Sequence, residues 1–154
     1  MDNENWFRGR DMKILIIEDT HEKLKSITTF FDEFNHVYDV AENRDSAQKK
    51  VEDLSYDFII LDMTLPEDDS INSELIPLAG LDILEIMSFE GILTPTVILT
   101  GYDKFGRHKN SLTIQDLKNE VSKNYSDIVS SVIYYDGYSD DWKIELRNCL
   151  SKLA

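Results

Sequence analysis

The stretch "KILIIEDT", Lys13 to Thr20, combines an apolar run with an acid pair. Its apolar run, Ile14 to Ile17, is short, β-branched and not alternating, which is typical of a strand buried on both faces of a parallel sheet. The run ends at two adjacent carboxylates, Glu18 and Asp19. Neighbouring acids beside a buried strand repel each other and lose hydration. We therefore expect a positive charge, such as a metal ion, between them.

Length and composition indicate one domain. The chain has 154 residues, of which 42% are apolar, including two Trp and seven Phe, enough for a core. No window approaches the ~18 apolar residues of a membrane span, and the N-terminus is too polar for a signal peptide. We expect a cytoplasmic protein without membrane insertion, with a polar arm at 1–11 and one domain at 12–154. The single cysteine, Cys149, excludes an internal disulfide.

The charge balance argues against nucleic acid as a direct ligand. Sixteen Lys and Arg against thirty Asp and Glu give a net charge of −14, which repels a phosphate backbone. In so acidic a chain, adjacent acids also arise by chance. The position of an acid pair in the fold must therefore decide its meaning.

Apolar runs recur along the chain and alternate with helical stripes. Short β-branched runs predict strands at 13–17, 36–41, 57–62, 94–100 and 127–135. Because parallel strands need crossover helices, the alternation predicts a doubly wound α/β fold, with a five-stranded parallel sheet covered on both faces.

The helices are predicted from stripes and caps. An apolar stripe predicts the first helix over 20–34, and Asn43 caps a second whose inward face includes Leu54. Gly91 ends a third, and Thr113 with Asp116 has capping-box spacing before a fourth. A fifth begins near 139. The segment 63–80 has no sustained period, which predicts a long loop.

Acidic and hydroxyl side chains end neighbouring strands of the predicted sheet. Asp62 ends the third strand, Thr100 ends the fourth, and Glu18 and Asp19 stand at the end of the first. In open parallel sheets, ligands bind beyond the carboxyl ends of the strands. Three carboxylates held together there suit Mg²⁺. A carboxylate neutralised in this way is placed to attack a phosphoryl group and form an acyl phosphate.

Four ordered blocks carry a family resemblance. The blocks "KILIIEDT", "FIILDMTLP", "GLDIL" and "VILTGY" resemble the signature blocks of the receiver domain of two-component response regulators. The match spans 12–154. The resemblance implies a flavodoxin-like (βα)5 fold with strand order 2-1-3-4-5. It also implies phosphoryl transfer from a partner kinase's histidine.

The resemblance assigns roles by matched position. Asp62 is the expected phosphoacceptor, Thr100 the switch hydroxyl, and Glu18 with Asp19 the acid pair. Asp19, Asp62 and the backbone carbonyl of Thr64 are expected to hold Mg²⁺. The expected partners are a sensor histidine kinase or phosphotransfer protein and a downstream protein. On this interpretation the chain is a stand-alone phosphoprotein of a phosphorelay and not an enzyme.

The sequence departs from the family pattern in three places. An acidic insertion occupies 66–80, and the stretch 101–126 is longer than usual, so the output surface is rebuilt. The Lys-Pro pair expected after the fifth strand is replaced by Tyr135 and Asp136. The candidate replacements for that lysine are Lys104 and Arg107, from the fourth loop.

Two other functions stay open. A degenerate receiver would keep the fold as a protein-binding module and never be phosphorylated, as the missing lysine suggests. A Mg²⁺-dependent phosphatase of the haloacid-dehalogenase type also uses an aspartate at a strand end. That class needs a second acid two residues later, where this chain has Thr64.

Overall fold

Five parallel strands form the central sheet of the computed structural model. The structure describes residues 12–34, 36–101, 104–105 and 112–153. The strands are β1 Lys13–Ile17, β2 Val37–Ala41, β3 Phe58–Leu61, β4 Thr96–Thr100 and β5 Val129–Tyr134. They are joined by the helices α1 His21–Asp32, α2 Arg44–Asp53, α3 Ala79–Glu90, α4 Ile114–Asn124 and α5 Asp141–Ser151.

The strand order is β2-β1-β3-β4-β5, with every neighbouring pair parallel. This order confirms the flavodoxin-like (βα)5 fold expected from the resemblance. The order reverses between β1 and β3, because β1 pairs with β2 on one side and with β3 on the other. The carboxyl ends of β1 and β3 therefore lie side by side at the switch point of the sheet.

Alternate residues of the central strands belong to two different hydrophobic cores. Leu15 and Ile17 of β1 lie in the core that contains residues of α2, α3 and α4. Ile14 and Ile16 lie in the other, with the apolar residues of α1 and α5. The central strands are thus buried on both faces, which is why their sequences are continuous apolar runs.

The predicted caps are present. The Asn43 side chain accepts a hydrogen bond from the Ser46 backbone N–H at 2.7 Å, and Thr113 and Asp116 form a reciprocal capping box. Gly91 ends α3 in the left-handed conformation, with φ 71°. The prediction for Leu54 was wrong. It caps the C-terminus of α2 and is exposed, because α2 ends at Asp53, before Leu54 could turn inward.

The segment 63–80 is more ordered than the sequence predicted. Leu65–Pro66 pairs with Leu75–Ile76 as a short antiparallel hairpin, and α3 already begins at Ala79. The Ser73 hydroxyl closes the hairpin by accepting hydrogen bonds from two backbone N–H groups, those of Glu67 and Asp68. Side-chain hydrogen bonds of this kind leave no periodic signal, so the sequence pattern indicated a loop.

Three sequence predictions fall partly or wholly outside the described residues. They concern the polar arm at 1–11, the side chain of Lys104, and Arg107. Within 101–126, residues 104–105 pair with 112–113 in an antiparallel arrangement, and α4 follows. In the described part of the chain, no helix combines the length and apolar character needed to span a membrane.

Candidate functional site

The backbone brings three acids to one edge of the sheet. The Glu18 N–H donates to the Ala41 carbonyl at 3.0 Å, and the Asp62 N–H donates to the Ile17 carbonyl at 3.0 Å. These bonds continue the ladder just past the ends of β1 and β3. One carboxylate oxygen from each of Glu18, Asp19 and Asp62 lies within 4.8 Å of the others. The convergence expected from the strand ends is present.

Burial dominates the electrostatics of the two aspartates. Asp62 is 3% exposed, and its pKa is raised to about 7, mainly by burial and also by the Glu18 charge. The Lys23 ammonium and the Met63 N–H, which donates to Asp62 Oδ1 at 2.8 Å, oppose that increase. Burial and Glu18 also raise the pKa of half-buried Asp19. The centre is thus short of positive charge, as the sequence indicated.

A lysine that the sequence analysis missed lies inside this acidic centre. Lys23, in the first turn of α1, is 5% exposed. Its ammonium lies 2.6 Å from Glu18 Oε1 and 3.3 Å from Asp62 Oδ1, and it donates to the Leu99 carbonyl at 2.5 Å. An ammonium has three N–H donors, so these three acceptors satisfy it completely.

The sequence did contain a signal for Lys23. It lies four residues before Ile27 and seven before Phe30, and both of these are buried. Residues at such spacings share one face of a helix. A lysine on the apolar face of α1, next to a predicted acid cluster, could therefore have been predicted to compensate the charge of those acids.

Tyr135 and Asp136 stand just after β5, where the sequence analysis expected the Lys-Pro pair. The Tyr135 ring centroid lies 5.9 Å from the Lys23 ammonium, and its hydroxyl is 3.1 Å from Ser26 Oγ on α1. The Asp136 carboxylate accepts hydrogen bonds from the backbone N–H groups of Tyr138 and Ser139, which lower its pKa. Asp136 is therefore bound to its own loop and not to the acid centre.

The remaining predicted site residues lie close to the same edge. Thr100 ends β4 and is fully buried, and its carbonyl accepts the Tyr135 N–H at 2.8 Å. Thr64 is buried two residues after Asp62, and its hydroxyl donates to the Pro77 carbonyl at 3.1 Å. The roles expected for the Thr100 hydroxyl and the Thr64 carbonyl stay predictions.

A cavity of about 470 Å³ opens beside Asp62 and Lys23. Its walls come from the ends of β1 and β3, the start of α1, and the loops after β4 and β5. It is lined by Glu18, Thr20, Glu22, Lys23, Asp62, Gly101, Tyr135, Asp136, Gly137 and Tyr138. Asp62 and Lys23 therefore share one cavity.

The acidic insertion is attached to the fold beside this site. Arg44 lies 2.8 Å from Glu67 of the insertion and 3.2 Å from Asp82 of α3. The Asp45 N–H also donates to the Glu67 carbonyl at 3.0 Å. The hairpin is therefore held against the start of α2, on the Asp19 side of the centre, where Asp19 and Asp68 line one pocket.

Gly80 permits close packing against the backbone of Asp62. A Cβ at this position would lie 2.6 Å from the Asp62 carbonyl oxygen and closer still to the Met63 side chain. We expect Gly80→Ala to lower the free energy of unfolding by about 1–3 kcal/mol, because the Asp62 backbone must move. Urea denaturation measures this loss. The exposed substitution Ser88→Ala is the control, and equal stability of the two variants would contradict the argument.

Comparison with known proteins places the chain in a family. The model for the response regulator receiver domain matches residues 14–127. The Detocs response regulatory protein DtcB of Enterobacter cloacae (strain JD6301) is 31% identical over 150 residues, which cover 92% of this chain and 100% of that protein.

Two solved structures are similar over nearly their whole length. The receiver domain of Francisella response regulator 1452 is 25% identical, with a TM-score of 0.61 over 92% of this chain and 98% of that one. Response regulator TrrA from Thermotoga maritima, solved in complex with Mg²⁺-BeF, is 20% identical, with a TM-score of 0.61 over the same shares. The fold and the acids at the strand ends agree with the family match over residues 14–127. The chain therefore belongs to the response regulator receiver domain family.

Proposed function

We propose that this chain is a phosphoacceptor of two-component signalling, in which Asp62 receives a phosphoryl group beside a bound Mg²⁺. The observation that carries the proposal is the convergence of three carboxylates within 4.8 Å around a buried aspartate. Such a cluster is costly unless cations compensate it. Family membership supports the same conclusion.

The donor set fits a hard divalent cation. Carboxylate and carbonyl oxygens are the ligands that Mg²⁺ prefers in proteins. Both Glu18 oxygens already have partners, Lys23 and the Thr20 N–H. We therefore assign direct contact with the ion to Asp19, Asp62 and the backbone carbonyl of Thr64. When bound, Mg²⁺ supplies positive charge to the oxygens of the group being transferred.

Asp62 is the group that reacts. The Met63 N–H and Lys23 both contact Oδ1, and no donor from the described residues binds Oδ2. Oδ2 is the oxygen we assign as nucleophile. Its bond to phosphorus forms as the N–P bond of a phosphohistidine breaks, and the electron pair of that bond stays on the imidazole nitrogen. The product is an acyl phosphate on Asp62, so the chain is modified and does not turn over a substrate.

The proposed donors are a sensor histidine kinase or a phosphotransfer protein, and the proposed output is contact with a downstream protein. Membership of the receiver domain family and the similarity to a protein named a response regulatory protein support these assignments. The net charge of −14 argues against direct contact with nucleic acid.

One observation favours a second candidate function. Tyr135 stands where the family lysine is expected, and Lys23 already has three acceptors without a phosphoryl group. A receiver with such a resting centre could act as a phosphorylation-independent binding module. The two candidates differ in whether Asp62 is modified.

The test is a mass measurement of the protein after incubation with Mg²⁺ and phosphoramidate. We expect the mass of one added phosphoryl group on the parent and on Asp53→Asn, a matched exposed control. Asp62→Asn should gain none, because an amide oxygen is a poor nucleophile. No adduct on the parent at saturating Mg²⁺ would favour the binding module. Continued release of inorganic phosphate over many turnovers would indicate a phosphatase.

A further inference from the structure

The centre contains a cation whose function the fold alone does not explain. The Lys23 side chain is 6% exposed, and its ammonium is within hydrogen-bonding or ion-pair distance of Glu18 and Asp62. A buried lysine is expensive, and replacing a whole buried ion pair with apolar residues of similar volume often preserves or raises stability, so stability alone does not account for Lys23 and its acids. Its position beside the reactive aspartate therefore points to a chemical role.

Lys23 also supplies positive charge to the cavity beside Asp62. Of the described residues that line the cavity beside Asp62, it is the only lysine or arginine. Arg44, near the Asp19 side of the centre, is already paired with Glu67 and Asp82. A phosphoryl group on Asp62 adds negative charge to a centre that already has three acids, so its oxygens need a cation of this kind.

The walls of the cavity hold Lys23 in place. The Tyr135 ring faces the ammonium at 5.9 Å, and the Tyr135 hydroxyl is within hydrogen-bonding distance of Ser26, three residues after Lys23 on the same helix. The carbonyl of Leu99 on β4 fixes the ammonium from the sheet side. Tyr135 therefore supports a lysine that arrives from α1 instead of from β5.

We propose that Lys23, from the first turn of α1, is the cation that binds the phosphoryl group on Asp62. Its ammonium exchanges the 3.3 Å contact with Asp62 Oδ1 for a phosphoryl oxygen and keeps Glu18 and the Leu99 carbonyl. No covalent bond to Lys23 forms or breaks. The inference rests on the proposed function, and it makes α1 the element that contacts the phosphoryl group.

The test compares three variants with the parent. Lys23→Met removes the cation, Lys23→Met/Tyr135→Lys returns one from the facing wall, and Lys25→Met, at an exposed position on the same helix, is the control. The rate of phosphoryl adduct formation from phosphoramidate is measured by mass at saturating Mg²⁺. The affinity for Mg²⁺ alone is measured by calorimetry.

We expect Lys23→Met to lose at least about tenfold in the rate of adduct formation, the loss expected for a charge-assisted contact. Its Mg²⁺ affinity should stay equal or rise, because a competing cation is gone. The double variant should recover part of the rate, and Lys25→Met should match the parent. Adduct formation by Lys23→Met within twofold of the parent overturns the proposal. So does a loss that the double variant does not recover and that is accompanied by weaker Mg²⁺ binding, because Lys23 would then be structural only.

A measurement on the parent covers the case in which Lys23→Met does not fold. Protein labelled with ¹⁵N-lysine is titrated with beryllofluoride, a phosphoryl mimic, in the presence of Mg²⁺. We expect the NMR signal of the buried ammonium to shift, and an unchanged signal in the bound state overturns the proposal. If the parent neither binds beryllofluoride nor gains a phosphoryl group, the proposed function fails together with this inference. If the parent reacts and Lys23 proves dispensable, only the inference fails.

Discussion

Lys23→Met lowers the free energy of unfolding of the metal-free protein by about 3–5 kcal/mol at pH 8, the loss that follows removal of one partner from a buried ion pair. Glu18 and Asp62 are 1% and 3% exposed, and both lie close to the Lys23 ammonium. Without it, two carboxylates stay buried with less compensation, and the Leu99 carbonyl loses a donor. Urea denaturation in EDTA measures the change.

The control and the metal dependence separate this effect from a general loss of helix stability. Lys25→Met, at an exposed position on the same helix, should stay within about 0.5 kcal/mol of the parent. Adding Mg²⁺ should reduce the deficit of Lys23→Met, because a bound cation compensates the same acids. A deficit below about 1 kcal/mol in EDTA would fall in the range of a surface ion pair and would contradict the buried geometry.

Asp62→Asn stabilises the metal-free protein at alkaline pH. Burial raises the folded-state pKa of Asp62 from 3.8 to about 7, so the folded chain holds this proton more tightly than the unfolded chain. Unfolding releases the proton between these two pH values. The contribution of Asp62 to the free energy of unfolding therefore falls as pH rises through this window, by about 4 kcal/mol in total. Asparagine at this position has no such titration.

The measurement is urea denaturation of parent and Asp62→Asn in EDTA, at intervals from pH 4 to pH 8. The free energy of unfolding of the variant should increase relative to that of the parent as the pH rises. The difference between the two proteins should level off above pH 7. Taking this difference removes the contribution of Asp19, whose raised pKa acts in the same direction in both proteins. A difference that is flat across the range, or that favours the parent at pH 8, would contradict the account of Asp62.

Most of the fold could be predicted because its signals are local. The apolar run of β1 and the side-chain cap of Asn43 each depend on a few consecutive residues. The parallel sheet follows from the alternation of strands and helices, since crossover connections have one hand. The meeting of Asp62 with the acids after β1 follows in turn, because the ends of adjacent parallel strands lie side by side.

Spacing placed Lys23 on the apolar face of α1, but its contacts were harder to predict than the fold, because its partners come from different elements. The apolar period of α1 is satisfied by Leu24, Ile27 and Phe31 whether or not Lys23 points inward. A lysine beside an apolar stripe usually extends its ammonium into water. Here the Leu99 carbonyl and two acids lie within its reach, and only the tertiary structure brings them there.

The insertion at 66–80 was harder to predict for a different reason. Its order comes from the Ser73 hydroxyl and from the contacts of Arg44 with Glu67 and Asp82. The residues that make these contacts do not recur at a regular spacing in the sequence. Neither helical nor strand periodicity could therefore reveal the order of this segment. The departure at Tyr135 was visible in the sequence, whereas the contacts of the Lys23 ammonium with Glu18 and Asp62 required the tertiary structure.

We propose that Asp19 and Asp62 hold a divalent cation while Asp62 carries the phosphoryl group. A crystal structure of the protein with Mg²⁺ and beryllofluoride tests it most directly. We expect one ion bound by the Asp19 and Asp62 carboxylates and the Thr64 carbonyl, with beryllium attached to Asp62 and a fluoride beside the Lys23 ammonium. An empty centre with its carboxylates turned apart at saturating Mg²⁺ and beryllofluoride would contradict the account.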